Sequence, residues 1–156
     1  MAHLMTLDEV AAAVAADRAA GRTVALANGV FDLLHVGHIR YLEGAKAEAD
    51  RLVVAVNDDE SVRALKGPGR PVMKEADRAE LVAALRSVDY VLVFSGQTVA
   101  DVLLRLKPDV HCKGTDYTVE SVPERPIVES YGGRTAIVGD PKGHSTRDLV
   151  SRLTSS

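Results

Sequence analysis

The 156-residue sequence has a single cysteine, Cys112, which excludes an intrachain disulfide framework and a cysteine zinc site. Following Asp109-Val110, it is expected to be a buried structural thiol and not a nucleophile. No apolar run is long enough to span a bilayer, and the first residues lack the basic-then-apolar pattern of a secretory leader. A reducing cytoplasm and no membrane partner are therefore expected. Basic residues are not in excess: 19 Lys and Arg face 22 Asp and Glu, a net charge of −3, which argues against nucleic acid as a partner. Basic side chains that converge locally can still hold an anion. There is no Walker phosphate loop. Neither Gly67-Pro68-Gly69 nor Gly132-Gly133 lies between a strand and a helix at dinucleotide spacing, so hydride transfer is unsupported, and Gly132-Gly133 reads as a turn. No repeat, low-complexity tract or linker divides the chain, and 46% hydrophobic residues suffice for one core. One domain over 1–156 is expected, with residues 1–5 disordered or tag-derived.

What is present alternates between two periodicities. Thr6-Leu7-Asp8-Glu9 reads as an N-cap with acids in the first turn of an alanine-rich helix ending at Gly21. Short apolar runs at Val24–Ala27, Arg51–Val56, Tyr90–Phe94, Val110–Lys113 and Arg134–Val138 read as strands. Helical spacing fills Ile39–Ala49, Glu60–Leu65, Lys74–Arg86, Thr98–Leu106 and Thr146–Leu153. Short apolar strands separated by helices predict an α/β fold, a three-layer Rossmann-like parallel sheet with helices on both faces. Ligands of such sheets bind outside the carboxyl ends of the strands. The segment after residue 27, Asn57-Asp58-Asp59 and Lys113-Gly114 all follow strands, so they are expected to share one edge.

Asn28-Gly29-Val30-Phe31-Asp32-Leu33-Leu34-His35-Val36-Gly37-His38 carries the most information. A strand enters a glycine-bearing turn, and a helix starts on two histidines three residues apart. Unpaired N–H groups and the helix dipole favour a polyphosphate there, two imidazoles add donors, and Gly29 and Gly37 allow close backbone approach. The plainer reading is a pair of surface or capping histidines. Zinc is disfavoured because a third ligand at suitable spacing is missing. Lys66 and Arg70 occupy a Gly/Pro loop of the kind that closes over a substrate, or they are ordinary solvated charge, and Arg78 pairs with Glu75 or is solvated. Lys113 after a strand end can reach an anion, Asp116 can accept from hydroxyls, and a surface turn is the alternative. Ser145 or Thr146 after Gly143 can cap the last helix, hold a phosphate, or do both.

Taken together, these residues resemble the HxGH nucleotidyltransferase superfamily, and within it the sugar-phosphate adenylyltransferase domain of ADP-heptose synthases. The likeness runs from about residue 23 to 153. Gly29-x-Phe31-Asp32-x-x-His35-x-Gly37-His38 is the superfamily signature. Asp50 to Asn57 followed by Asp59, Lys66-Gly67 with Arg70-Pro71-Val72, and Lys113-Gly114-x-Asp116-Tyr117 point to the heptose subgroup, and Gly132-Gly133 and Gly143-x-Ser145-Thr146 complete the order. The sequence has no counterpart of the kinase domain of bifunctional members. It departs from the family pattern at Thr115, which replaces a glycine, and at Arg147, which replaces a threonine. Asp140 stands where related glycerol-phosphate cytidylyltransferases carry arginine, which favours ATP over CTP.

The resemblance implies transfer of AMP from ATP to a sugar 1-phosphate, a heptose 1-phosphate in the first place, with Mg2+ bridging the phosphates and no dedicated metal ligands on the protein. It implies His35, His38 and Lys113 as catalytic residues. Gly29, Val30, Phe31, Gly37, Asp116, Gly143, Ser145 and Thr146 would join the histidines around the nucleotide; Lys46 lies further along the same helix, with ordinary solvated charge as its strong alternative. Lys66, Arg70, Asn57 and Asp59 would bind the sugar phosphate. A homodimer is expected. A cytidylyltransferase of glycerol 3-phosphate or a similar alcohol phosphate, and a non-catalytic nucleotide-binding module, are the alternatives.

Overall fold

In the computed structural model of the protein, residues 2–141 are described. The expected helix over 146–153, with Gly143, Ser145, Thr146 and Arg147, lies outside them. Helix α1 (Leu7–Ala19) starts where the sequence says it should. The Glu9 N–H donates to Thr6 Oγ1 (3.1 Å) and the Thr6 N–H donates back to Glu9 Oε1 (2.9 Å), which satisfies two otherwise unpaired donors. Ahead of it, Leu4 forms a parallel bridge to Val91 and the Met5 N–H donates to the Val91 carbonyl. The looseness expected of residues 1–5 therefore does not extend to these two.

The remaining elements follow in the order β1 (Val24–Gly29), α2 (Val36–Lys46), β2 (Arg51–Asn57), α3 (Asp59–Lys66), α4 (Glu75–Ala83), β3 (Tyr90–Phe94), α5 (Ala100–Leu106), β4 (Val110–Lys113), α6 (Arg125–Ser130) and β5 (Arg134–Ile137). The five described strands form one sheet in the order β3-β2-β1-β4-β5, and every pairing is parallel. Strand alternation splits the core in two. Ala25, Ala27, Leu52, Val54 and Cys112 pack under α2 and α4. Val24, Leu26, Val53 and Leu92 pack under α1, α5 and α6. Burial of Cys112 in the first layer pushes its thiol up to about 12, the inert thiol expected. Among the described residues no helix is long and apolar enough to cross a membrane.

Carboxylates line the amino-terminal edge of the sheet. Asp50 accepts from the Thr23 N–H, Asp109 from the Val24 N–H and Asp89 from the Leu52 N–H. Lys46 belongs here as well, with Nζ 2.6 Å from Asp89 Oδ2 and 2.8 Å from the Asp50 carbonyl. At the far end of α2 it cannot serve a nucleotide at the helix start, which corrects the sequence expectation. Chain order reverses at β1, with β2 on one side and β4 on the other, so the crevice of this topology opens at the carboxyl ends of β1 and β4.

Candidate active site

The turn from β1 into α2 is held in a strained shape. Phe31 and Leu33 adopt φ of 53° and 55°, a left-handed conformation that non-glycine residues rarely take. Asp32 between them explains why the strain persists. Its carboxylate is buried and accepts from the Val72 N–H (2.8 Å), the Met73 N–H (3.0 Å) and Arg70 Nε (3.3 Å). The signature aspartate thus fastens the Gly/Pro loop beside the turn. Arg70 Nη2 also lies 3.3 Å from Asp32 Oδ2, so this arginine takes part in placing the loop.

Phe31 is almost fully buried, with its ring 5.7 Å from that of His38 and stacked 6.4 Å from that of Tyr41. Its side chain supports His38, and only its backbone is left for a nucleotide. A Cβ on Gly29 would meet the Phe31 ring at 3.2 Å, so this glycine is required first by internal packing. Val30 contributes its carbonyl to an internal bond described below.

The two histidines cap α2 themselves. The Gly37 N–H donates to His35 Nδ1 (3.1 Å), and the His35 N–H donates to His38 Nδ1 (3.2 Å). The rings lie 4.0 Å apart, centroid to centroid. A nitrogen that accepts from a backbone N–H presents a lone pair, so in each neutral ring the proton is on Nε2. Burial, then His35, then Lys66 pushes His38 down to about 4. His38 is therefore a neutral donor near pH 7, and the Gly37 N–H that His35 Nδ1 accepts holds the second ring in the same tautomer. The cap also takes the Gly37 N–H, and the His38 N–H bonds to the His35 carbonyl, so fewer backbone donors are left for an anion than the sequence suggests. The capping reading of this pair is therefore borne out.

Lys66 ends α3 instead of lying in the loop, and it is close enough to act electrostatically on His38. The other β2–α3 residues turn inward. Asn57 is buried and its Nδ2 donates to Ser61 Oγ (3.3 Å). Asp59 Oδ1 accepts from Arg78 Nη2 at 2.8 Å. Asn57 is thus turned away from a substrate, contrary to expectation, while Asp59 is part-exposed with one carboxylate oxygen committed to Arg78.

Arg78 is the residue that the sequence reading misplaced. Far from solvated, it is completely buried. Nε donates to the Met73 carbonyl (2.9 Å), and Nη1 donates to the carbonyls of Val30 (2.7 Å) and Asn57 (2.8 Å). With Asp59, one guanidinium ties the histidine turn, the end of β2 and the Gly/Pro loop into a single frame. Five N–H donors in a rigid fork suit it to this task.

Across the crevice, Lys113 ends β4 with its ammonium 4.9 Å above the Tyr117 ring. Burial lowers its pKa, and the carboxylates of Glu124, itself buried, and Asp116 oppose that shift. A Cβ on Gly114 would meet nothing within 4 Å, so the strand end is open. The Tyr41 hydroxyl donates to the Cys112 carbonyl (2.7 Å), which fixes this strand end against α2. One departure from the family pattern, Thr115, meets Asp140 here. Thr115 Oγ1 donates to the Asp140 carbonyl (2.5 Å), and the Asp140 carboxylate pairs with Arg40 (2.5 Å). Among the described residues no cluster of three His, Cys, Asp or Glu side chains suits a metal ion.

A family model described as cytidylyltransferase-like matches residues 26–151. The "Bifunctional protein HldE" of Geobacter metallireducens is 45% identical over 152 residues, which cover 97% of this chain and 31% of that protein. The protein of the same name from Methylobacillus flagellatus is 46% identical over 149 residues, 96% of this chain and 30% of its own length. The chain thus spans about a third of these relatives. Among solved structures, a lipopolysaccharide core biosynthesis protein from Thermoplasma volcanium superimposes with a TM-score of 0.69 and 27% identity, covering 78% of this chain and all of that one. Pantothenate synthetase from Thermus thermophilus shares the fold, with a TM-score of 0.63 at 19% identity over 92% of this chain and 63% of that one.

Proposed function

The chain belongs to the cytidylyltransferase-like family, and we propose that it is a nucleotidyltransferase that transfers AMP from ATP to a sugar 1-phosphate, with heptose 1-phosphate the first candidate. The names of its relatives and of the Thermoplasma neighbour favour this substrate class. The observation that carries the reading is the pair of neutral imidazoles at the start of α2, both with Nδ1 engaged and Nε2 protonated, beside Lys66 and at the same sheet edge as Lys113.

An oxygen of the sugar phosphate forms the new bond to the α-phosphorus of ATP. The bond from that phosphorus to the bridging oxygen breaks, and its electron pair leaves on pyrophosphate. The nucleophile is already anionic near neutral pH, so no general base is needed. Catalysis then rests on alignment and on countering charge on the phosphoryl oxygens. His35 and His38 donate through Nε2 to those oxygens. Lys113 supplies positive charge across the crevice, Lys66 holds the acceptor phosphate, and Asp116 accepts from a nucleotide hydroxyl. The backbone at Gly29, Val30 and Gly37 lines the approach, and Gly143, Ser145 and Thr146 receive the distal phosphates. Mg2+ bound with ATP would supply neutralisation of phosphate charge, with no cluster of protein ligands for it among the described residues. Imidazoles that carry their proton on Nε2 fit this arrangement, since they are donors and not ligands. A cytoplasmic homodimer completes the reading.

The family's description keeps CTP as the rival nucleotide. Pyrophosphate release is to be followed with ATP and CTP against a panel of sugar 1-phosphates and glycerol 3-phosphate. Release from ATP with a sugar 1-phosphate is expected. Release only from CTP with glycerol 3-phosphate, or tight ATP binding without release on any acceptor, overturns the reading.

A further inference from the structure

A second polar pair lies at the same crevice, on the side of the sheet away from α2. Leu26 of β1 is in register with His111 of β4. By strand alternation the side chains of residues 26, 28, 111 and 113 project from that face. His111 is completely buried, and its Nε2 lies 2.8 Å from Asn28 Oδ1. A carboxamide oxygen only accepts, so Nε2 carries the proton. His111 Nδ1 is buried without a hydrogen-bond partner among the described residues.

An aliphatic side chain would fill this position without stranding a nitrogen, so packing does not explain the imidazole. What it adds is one N–H held against Asn28. Burial and the nearby Lys113 push His111 down to about 3, so the bond persists in the neutral form. With Oδ1 occupied, the carboxamide cannot exchange its two ends. Asn28 itself is half-exposed, one residue from the end of β1, and Lys113 stands two residues beyond His111.

We propose that His111 is a positioning residue that fixes the Asn28 carboxamide so that Asn28 Nδ2 donates to a phosphoryl oxygen of a substrate bound between the carboxyl ends of β1 and β4. The substrates named rest on the transfer reaction proposed above. The test is therefore read in two ways, so that either idea can fail alone. In 15N-labelled protein, ATP and a sugar 1-phosphate are added separately, and the Asn28 carboxamide resonances are expected to move with one of them, which names the source of the oxygen. His111→Leu is expected to abolish that movement and to raise the KM of the same substrate about ten-fold, with kcat changed far less. Asn28→Ala should match it, the double variant should be no worse than either single one, and His111→Gln, which can still donate to Oδ1, should stay near wild type. Unmoved Asn28 resonances with both ligands, a folded His111→Leu variant with wild-type KM, or multiplying effects of the two substitutions overturn the proposal. If wild type turns over no sugar phosphate, the transfer reading fails, and the resonance titration still decides the role of His111.

Discussion

Replacing Arg78 with methionine keeps a long apolar stem and deletes the guanidinium. Four hydrogen bonds disappear, to the carbonyls of Val30, Asn57 and Met73 and to the carboxylate of Asp59. Breaking a buried ion pair from one side typically costs about 3–5 kcal/mol. Asp59 is about 30% exposed and recovers water, which lowers the figure. The three carbonyls lose a strong donor, that of Asn57 in a buried setting, which raises it, since each deprived buried group costs roughly 1–3 kcal/mol. A net loss of about 3 kcal/mol follows, a large share of the roughly 5–15 kcal/mol that holds a domain of this size together. Urea unfolding of Arg78→Met should show a lower midpoint at an unchanged slope, and Tm should fall by about 10 °C. A loss below about 1 kcal/mol with the slope unchanged would refute the view that this one side chain ties three segments together.

Acid should destabilise the fold in a defined window. His38 at about 4 and His111 at about 3 stay neutral when folded, yet take up protons near 6.5 when unfolded. The unfolded chain then binds more protons, so the stability they confer is complete above 6.5 and is lost as pH falls towards 4. Tm measured from pH 7 to 4.5 should decline, and a flat profile contradicts the neutral rings. By the same assignment, kcat should not change through a histidine between pH 6 and 8. Lys66→Ala should raise the KM for the sugar phosphate more than that for ATP in initial-rate measurements, whereas an equal rise moves Lys66 to the nucleotide.

The elements that sequence reading places best are those whose pattern is local. Apolar runs of four to seven residues mark all five described strands, and the Thr6–Glu9 box marks the start of α1. Helix α6 escapes it because six residues beginning Arg125-Pro126 give too short a period to register. The histidine turn is legible because its spacing is contiguous in sequence. Arg78 is not, since an arginine on an amphipathic helix is usually solvated. Its burial follows from a long-range fact, the convergence of the Val30 and Asn57 carbonyls where β1 and β2 end side by side. The same topology turns Asn57 and Asp59 inward and carries Lys46 to the opposite edge. Asp32 lies inside the signature, but its task of holding the loop at Val72 and Met73 depends on contacts forty residues away.

Stabilisation of the transferring phosphoryl group by two neutral imidazoles is tested most directly by kcat for pyrophosphate release at saturating ATP and sugar 1-phosphate. His35→Ala and His38→Ala should each lower it by roughly 10²–10³-fold, the scale for deleting one transition-state donor. Wild-type kcat in both folded variants would reduce the pair to helix caps and contradict the mechanism.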